Sequence, residues 1–242
     1  MVVIGDAYGE AMAAAFRGDP RGIASVERSD GRLMLDIGID YLAPARRWVP
    51  EERAAIRRAK GRVLDVGCGA GRVALHLQER GHEVVAIDVS PGAVALSRER
   101  GVRDARELAA SQVRVADGPF DTIVMYGNNL GLLRDARRAK WLLRRYARVA
   151  ADGAVLLGGT RDPYRTEDPS HLAYHAENRR RGRMGGQIQM RIRFNDLETP
   201  WFDYLFVSKD ELAALVEDTG WRLADTVDDG SAPYVAVLER VG

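Results

Sequence analysis

The chain has 242 residues with a formal net charge of +1, and 46% of them are hydrophobic and 29% charged. That is enough for an α/β core with elaborations and too balanced to require a polyanionic partner. A single cysteine, Cys68, excludes an intrachain disulfide and any cysteine-cluster metal site.

No apolar run reaches membrane-spanning length, and Met1 to Glu10 lacks the basic, apolar and cleavage regions of a signal peptide. A cytoplasmic protein with no membrane partner and no metal is expected. Asp6 is placed to cap a helix over Ala7 to Phe16, which Gly18 closes. Ser25 to Gly31 reads as a polar turn, and Leu33 to Ile39 alternates like a strand. After Tyr41 and Trp48, Pro50 opens a helix that runs to Lys60. The apolar residues of Met1 to Lys60 are too sparse for a core of their own, so 1–60 is expected to be a helical amino-terminal cover of the same domain.

Val63 to Asp88, VLDVGCGAGRVALHLQERGHEVVAID, reads as strand, glycine loop, helix and strand. This is a βαβ unit with parallel strands and an acidic residue at the carboxyl end of the second. Gly67, Gly69 and Gly71 let the backbone turn tightly and let a ligand approach without meeting a Cβ. Ser90 and Pro91 begin a second crossover helix that Gly101 ends, and Val102 to Leu108 is a weak edge strand. Phe120 to Tyr126 is a fourth strand leading into GNNLGLL, where Asn129 suits a turn. Asp135 opens a basic amphipathic helix to Val149, followed by a fifth strand at Ala154 to Leu157.

From Pro163 to Pro200 the pattern changes. Ile188, Met190, Ile192 and Phe194 alternate with Gln187, Gln189, Arg191 and Arg193, and Trp201 to Val207 reads as a hairpin partner joined through NDLETP. A segment leaving the fifth strand emerges where open α/β sheets bind ligands, so 161–207 is expected to be an inserted β-rich lid over a substrate pocket. Ser208 and Glu211 make a capping box for a helix to Gly220, and Trp221 to Val227 with Pro233 to Leu238 form a last, antiparallel hairpin. The expected organisation is one domain: cover 1–60, cofactor-binding core 61–160, lid 161–207, and carboxyl-terminal helix and strands 208–242.

Asp88 is placed to accept hydrogen bonds from both hydroxyls of a ribose. The glycines run GxGxG and not GxGxxG as in the dinucleotide fingerprint, and Asp65 beside the loop repels a pyrophosphate. A cationic ligand suits it better, and S-adenosylmethionine carries a sulfonium and an α-ammonium. On these residues, VLDVGCGAG followed by Asp88 in a βαβ setting, the sequence resembles the class I S-adenosylmethionine-dependent methyltransferases from roughly Gly61 to Gly159.

The resemblance implies an α/β, Rossmann-like, seven-stranded and mostly parallel sheet with helices on both faces. It implies S-adenosyl-L-methionine as cofactor, S-adenosyl-L-homocysteine as product, and cofactor contacts from Asp65, Gly67, Cys68, Gly69 and Asp88. Packing close to the loop, and not nucleophilic attack, is the role that suits Cys68. Tyr8 is implied as a cofactor lid; its other reading is an aromatic that packs its helix on the core. Tyr126, Gly127 and Asn128 are implied beside the transferable methyl group. Ala109 and Ala110 stand where the family has an acidic residue for the adenine amino group, so adenine is expected to be held by apolar contact and backbone groups, with Val89 opposite.

The expected reaction is direct in-line transfer to a small-molecule acceptor, without a covalent enzyme intermediate. A base is needed only for an acceptor protonated at neutral pH, and His171, His175 and Tyr126 are its candidates. His171 and His175 share one helical face if their segment is helical, but no HExxH pattern or third ligand accompanies them. Tyr41, Asn128, His171, Arg191, Arg193 and Trp201 are candidate substrate contacts. Arg179, Arg180, Arg181 and Arg183 read first as a solvated loop, because no aromatic platform goes with them, and nucleic acid is not expected as a partner. An RNA or protein methyltransferase using that run is the alternative, and a non-catalytic cofactor-binding module is a third reading. Monomer and homodimer both stay open.

Overall fold

The computed structural model describes residues 2–242, apart from the side chains of 36–39. After β1 (Val3–Ile4), the Asp6 carboxylate accepts the Gly9 amide at 3.0 Å and starts α1 (Ala7–Phe16). Apart from Met12, its buried residues are small, Ala7, Gly9, Ala11, Ala14 and Ala15, which lets neighbours approach closely. The stretch from Ser25 to Gly31, expected as a turn, belongs mostly to β2 (Ile23–Arg28), antiparallel to β3 (Leu33–Ile37). Composition misleads there because the charges are answered by partners: Glu27 by Arg191 at 2.9 Å, and the almost fully buried Arg28 by a two-pronged contact with Asp30. Pro50 opens α2 (Pro50–Ala55), which tightens over Ile56–Arg58. The stretch expected to be a helical cover over 1–60 therefore also contains a β-hairpin.

β4 (Val63–Val66) is buried throughout, and in β5 (Val84–Asp88) only Asp88 is partly exposed, so both read as unbroken apolar runs. Between them lies α3 (Arg72–Glu79); α4 (Pro91–Glu99) follows, capped by the Ser90 hydroxyl accepting from the Ala93 amide at 2.9 Å. β6 (Ala105–Glu107) pairs parallel to β5. Next come β7 (Phe120–Met125), α5 (Ala136–Val149) and β8 (Ala150–Arg161). α5 buries Leu142, Leu143, Tyr146 and Val149 and exposes Arg137, Trp141, Arg144 and Arg148. Each such buried leucine contributes about 1.5–3 kcal/mol.

The chain continues through α6 (Pro169–Arg180), β9 (Gln187–Phe194), β10 (Leu197–Glu198), β11 (Phe202–Leu205), α7 (Lys209–Val216), β12 (Trp221–Val227) and β13 (Pro233–Arg240). Within NDLETP, Asn195 takes the left-handed conformation at φ 53° and sets Phe194 opposite Leu197, a tight hairpin the sequence reading did not anticipate. The segment 161–207 holds a helix of 12 residues as well as strands.

Seven strands form one sheet in the order β12-β13-β8-β7-β4-β5-β6, parallel where β7 meets β8 and β5 meets β6, and antiparallel along β13. This is the expected Rossmann-like α/β architecture with its antiparallel last hairpin. A second sheet runs β1-β10-β9-β2-β3, with β11 also on β9. The chain gathers into two compact units: that up to Trp48 with Leu64–Ala110 and Gln189–Phe202, and Val49–Val63 with Ser111–Ile188 and Asp203–Gly242. In the first, Met12, Ala70, Ala93 and Leu96 pack in one buried cluster. In the second, the buried polar tips of Trp221 and Tyr234 each donate to a carbonyl, those of Leu143 and Val207, at 2.9 Å. Among the described residues no helix is long and apolar enough to cross a membrane.

Candidate functional site

In the first unit the loop after β4 is fixed by its own backbone. Gly67, Gly69 and Gly71 all have positive φ, between 53° and 78°. The amides of Gly67 and Cys68 donate to the Ile87 carbonyl at 2.8 and 3.0 Å, and the Ser97 hydroxyl donates to the Gly69 carbonyl at 2.8 Å. Gly71 has no room for a side chain, since a Cβ would lie 2.5 Å from Val102 Cγ2. Asp65 is buried at the end of β4. Burial, and then the charges of Asp65 and Asp88, push the buried Cys68 thiol well above its usual range, so it packs as a neutral thiol.

Asp88 closes β5 with both carboxylate oxygens on main-chain donors, Oδ1 accepting from Ser90 and Oδ2 from Gly69, each at 2.9 Å. Burial raises its carboxyl pKa, while the backbone amides of Ser90, Gly69 and Val89 pull it back. Each oxygen keeps lone-pair capacity for a hydroxyl. Val89 is 66% exposed, an apolar side chain offered to solvent next to that carboxylate. The Leu108 amide donates to the Asp88 carbonyl at 2.8 Å, which brings Ala109 and Ala110, both partly exposed, alongside. The carboxylates of Asp65 and Asp88 fit a cationic ligand and repel a pyrophosphate, while the glycines and the exposed apolar surface give a nucleoside room to approach.

Tyr8 and Tyr41 meet edge to face at 5.3 Å, and both pack on the Met12, Ala70, Ala93 and Leu96 cluster. Arg100, which the sequence reading passed over, donates to the carbonyls of Ala70 and Leu42 at 2.5 and 3.1 Å and ties the glycine loop to the segment carrying Tyr41. Elsewhere in this unit Arg191 donates to Glu27 at 2.9 Å and Glu198 at 2.8 Å, Arg193 reaches Glu27 at 3.2 Å, and Arg191 lies 4.7 Å over Trp201. Arg191, Arg193 and Trp201 are thus brought together, with their cations already answered by carboxylates.

The second unit holds the turn after β7. The buried Tyr126 donates its hydroxyl to the Glu52 carbonyl at 3.1 Å, and the Gly127 amide donates to Glu52 Oε1 at 2.9 Å. Gly127 and Asn128 are both left-handed, at φ 68° and 66°. The Tyr204 hydroxyl donates to the Asn128 carbonyl at 2.6 Å, and Gly131 must be glycine because a Cβ would enter the Tyr204 ring. The Asn128 side chain is left exposed on a fixed backbone. No local signal in PEER announces Glu52, whose partners are 74 and 75 residues away.

His171 and His175 do share a face of α6, their rings 6.3 Å apart. His171 lies 4.0 Å from Asp168, and His175 is buried with the Tyr164 ring at 5.8 Å. Arg180 and Arg181 both pair with Glu177, and Arg179 lies 5.7 Å over Tyr164. Among the described residues no group of three or more His, Cys, Asp or Glu side chains could hold a metal ion.

Residues 63–153 match a family model described as a methyltransferase domain. The glycine/sarcosine N-methyltransferase of Halorhodospira halochloris is 27% identical over 74% of this chain and 72% of its own length. The 2-heptyl-1-hydroxyquinolin-4(1H)-one methyltransferase of Mycobacteroides abscessus is 40% identical over 31% of this chain, which spans only 37% of that relative. The crystal structure of a SAM-dependent methyltransferase from Bacteroides fragilis in complex with S-adenosyl-L-homocysteine superposes with a TM-score of 0.83 at 27% identity, covering 100% of this chain and 98% of that one.

Proposed function

The chain belongs to the class I S-adenosylmethionine-dependent methyltransferases, and from that premise we propose that it methylates a small molecule by direct in-line displacement. When bound, the cofactor supplies a methyl carbon made electrophilic by its sulfonium, so that an acceptor lone pair forms the new bond while the carbon–sulfur pair leaves with S-adenosyl-L-homocysteine.

The chain's own residues then bind the cofactor, orient the acceptor and, where needed, take a proton. Asp88 accepts the ribose hydroxyls, and Asp65 with the loop of Gly67, Cys68 and Gly69 provides the anionic side for the ammonium. Val89, Ala109 and Ala110 give adenine apolar contact, and Tyr8 covers the site. Gly127 and Asn128 orient the acceptor from a backbone that Glu52 and Tyr204 hold still. The phenolic hydrogen of Tyr126 is committed to the Glu52 carbonyl, which favours positioning over base catalysis for Tyr126. His171 is the more exposed of the two histidines and is the group to take a proton where an acceptor must lose one. Tyr41, Arg191, Arg193 and Trp201 are kept as candidate substrate contacts, the arginines through whatever donors their carboxylate partners leave over.

The observation that carries the choice of a small acceptor is the state of the basic run. Arg180 and Arg181 share the carboxylate of Glu177 and Arg179 lies over the Tyr164 ring, so three of the four arginines are already engaged in contacts within the fold and are not arrayed along a groove that follows a phosphate backbone. The names of the two relatives, which specify small substrates, support the same reading.

The test is incubation with methyl-labelled S-adenosylmethionine against separated metabolite, RNA and protein fractions. Label is expected in the metabolite fraction, unmoved by nuclease and little changed by salt. Label in RNA, falling steeply as salt rises, would replace this reading with the macromolecular one. Tight cofactor binding without label in any fraction would favour a non-catalytic module.

A further inference from the structure

Asp6 stands outside every residue assigned above, yet its one carboxylate serves two helices. Oδ1 takes the Gly9 amide at 3.0 Å as the cap of α1. Oδ2 takes the Gly92 amide at 2.8 Å and the Ser90 hydroxyl at 2.7 Å, at the amino end of α4. Ser90 in turn gives its amide to Asp88 Oδ1 at 2.9 Å. Hydrogen bonds therefore run without a break from the start of α1 to the carboxylate assigned to the ribose.

Steric fit enforces the same contact. A Cβ on Gly92 would lie 2.9 Å from Asp6 Oδ2 and 3.1 Å from the Gly9 Cα, and one on Gly9 would lie 2.5 Å from the Ser90 hydroxyl oxygen. The helices touch there because both residues are glycine. Further along α1, Met12 is wholly buried, with its sulfur 3.5 Å from where a Gly69 Cβ would stand, and Tyr8 packs on the same cluster. α1 thus lies directly on the glycine loop.

We propose that Asp6 is a positioning residue for cofactor binding: it docks α1 onto the amino end of α4 and so holds Tyr8 and Met12 as a wall of the adenosine site. The proposal rests on the assignment of Asp88 and Tyr8 to the cofactor. An isolated helix of 10 residues has little stability of its own, so α1 depends for its order on its buried face and on this anchor, which fixes its first turn. The carboxylate satisfies amides at the starts of both helices and sits where each helix dipole favours a negative charge. If the anchor is lost, the cofactor must order α1 as it binds, and that cost appears as weaker affinity. By reciprocity, bound cofactor must steady α1.

The experiment compares wild type, Asp6→Ala, Asp6→Asn and Gly92→Ala by calorimetric titration with S-adenosyl-L-homocysteine and by hydrogen exchange of the α1 amides. Gly92→Ala keeps the Asp6 charge, adds a better helix former and wedges the helices apart, so it separates docking from charge and covers the case in which Asp6→Ala does not fold. Asp6→Ala and Gly92→Ala are expected to weaken binding by about five- to tenfold and to speed α1 exchange in the ligand-free protein. Asp6→Asn, which can still cap α1, should fall between them and wild type. Wild-type affinity in folded Asp6→Ala and Gly92→Ala would overturn the proposal, as would weakened binding with α1 exchange unchanged. Unaltered binding in Asp88→Ala would instead strike the adenosine assignment beneath it.

Discussion

Asp88 and Glu27 lie in the same compact unit, and each carboxylate is held by at least two donors, but the donors differ in kind. Asp88 is held by two main-chain amides, and among the described residues no basic side chain pairs with it. Glu27 is held by the guanidinium groups of Arg191 and Arg193. Their pKa values move in opposite directions. Burial raises that of Asp88, whereas the Arg191 hydrogen bond, with the Arg191 and Arg193 charges, lowers that of Glu27. Neutral amides orient Asp88 and leave its charge for a ligand, while the guanidinium groups use up the charge of Glu27 within the fold. A carboxylate left without a cationic partner beside an exposed Val89 and a glycine loop is what the proposed cofactor site requires, whereas an ion-paired one serves the fold.

The largest expected effect comes from destroying the loop that gives Asp88 its setting while touching neither carboxylate. Gly71→Ala forces an L side chain into φ 78° against Val102 and Ser97. It should cost about 2–4 kcal/mol of stability, read by chemical denaturation, and abolish measurable cofactor binding. Asp88→Ala is expected to leave the fold intact and to weaken S-adenosyl-L-homocysteine binding by about 1–3 kcal/mol, measured by calorimetry. Equal affinity in the folded variant would remove Asp88 from the ribose.

The pH dependence sharpens the contrast. A carboxyl whose folded pKa is raised does not stabilise the ligand-free fold at neutral pH, but a ligand that needs it ionised lowers that pKa on binding. Cofactor affinity should therefore fall as pH drops through the raised Asp88 value, and Asp88→Ala should flatten that acid limb. For Glu27 the sign is reversed. Its lowered folded pKa gives stability that is present above the ordinary glutamate value and is lost as pH falls through the lowered one. Glu27→Gln should lower Tm by a few degrees at neutral pH, less at acid pH, and leave cofactor affinity unchanged. That is the smallest of these effects, because the pairs are partly screened by solvent.

What could be read from the sequence was what lies close together along it. The β4–loop–α3–β5 unit, the Ser90 and Ser208 caps and the β12–β13 hairpin each depend on residues a few positions apart, and periodicity and turn chemistry reveal them. Asp6 was legible as the cap of α1 but not as the partner of Ser90 and Gly92, which are 84 and 86 residues away. Separations of 75, 30 and 58 residues likewise conceal Glu52 behind Gly127 and Arg100 behind Ala70 and Leu42. β2 looked like a turn because Glu27 and Arg28 are polar, and nothing local tells that β3 and β9 flank it. Ala109 and Ala110 were reached through family resemblance, since neither carries chemistry of its own. Their place beside Asp88 depends on the Leu108 amide, which no sequence pattern encodes.

The most direct test of the central claim is calorimetric titration of the purified protein with S-adenosyl-L-methionine, S-adenosyl-L-homocysteine and NAD in parallel. The arrangement of Asp65, Asp88 and the GxGxG loop predicts micromolar binding of the first two, about −8 kcal/mol, with none of NAD. Binding of NAD alone would show that the loop accepts a pyrophosphate in spite of its carboxylates, and would contradict the account of the cofactor side.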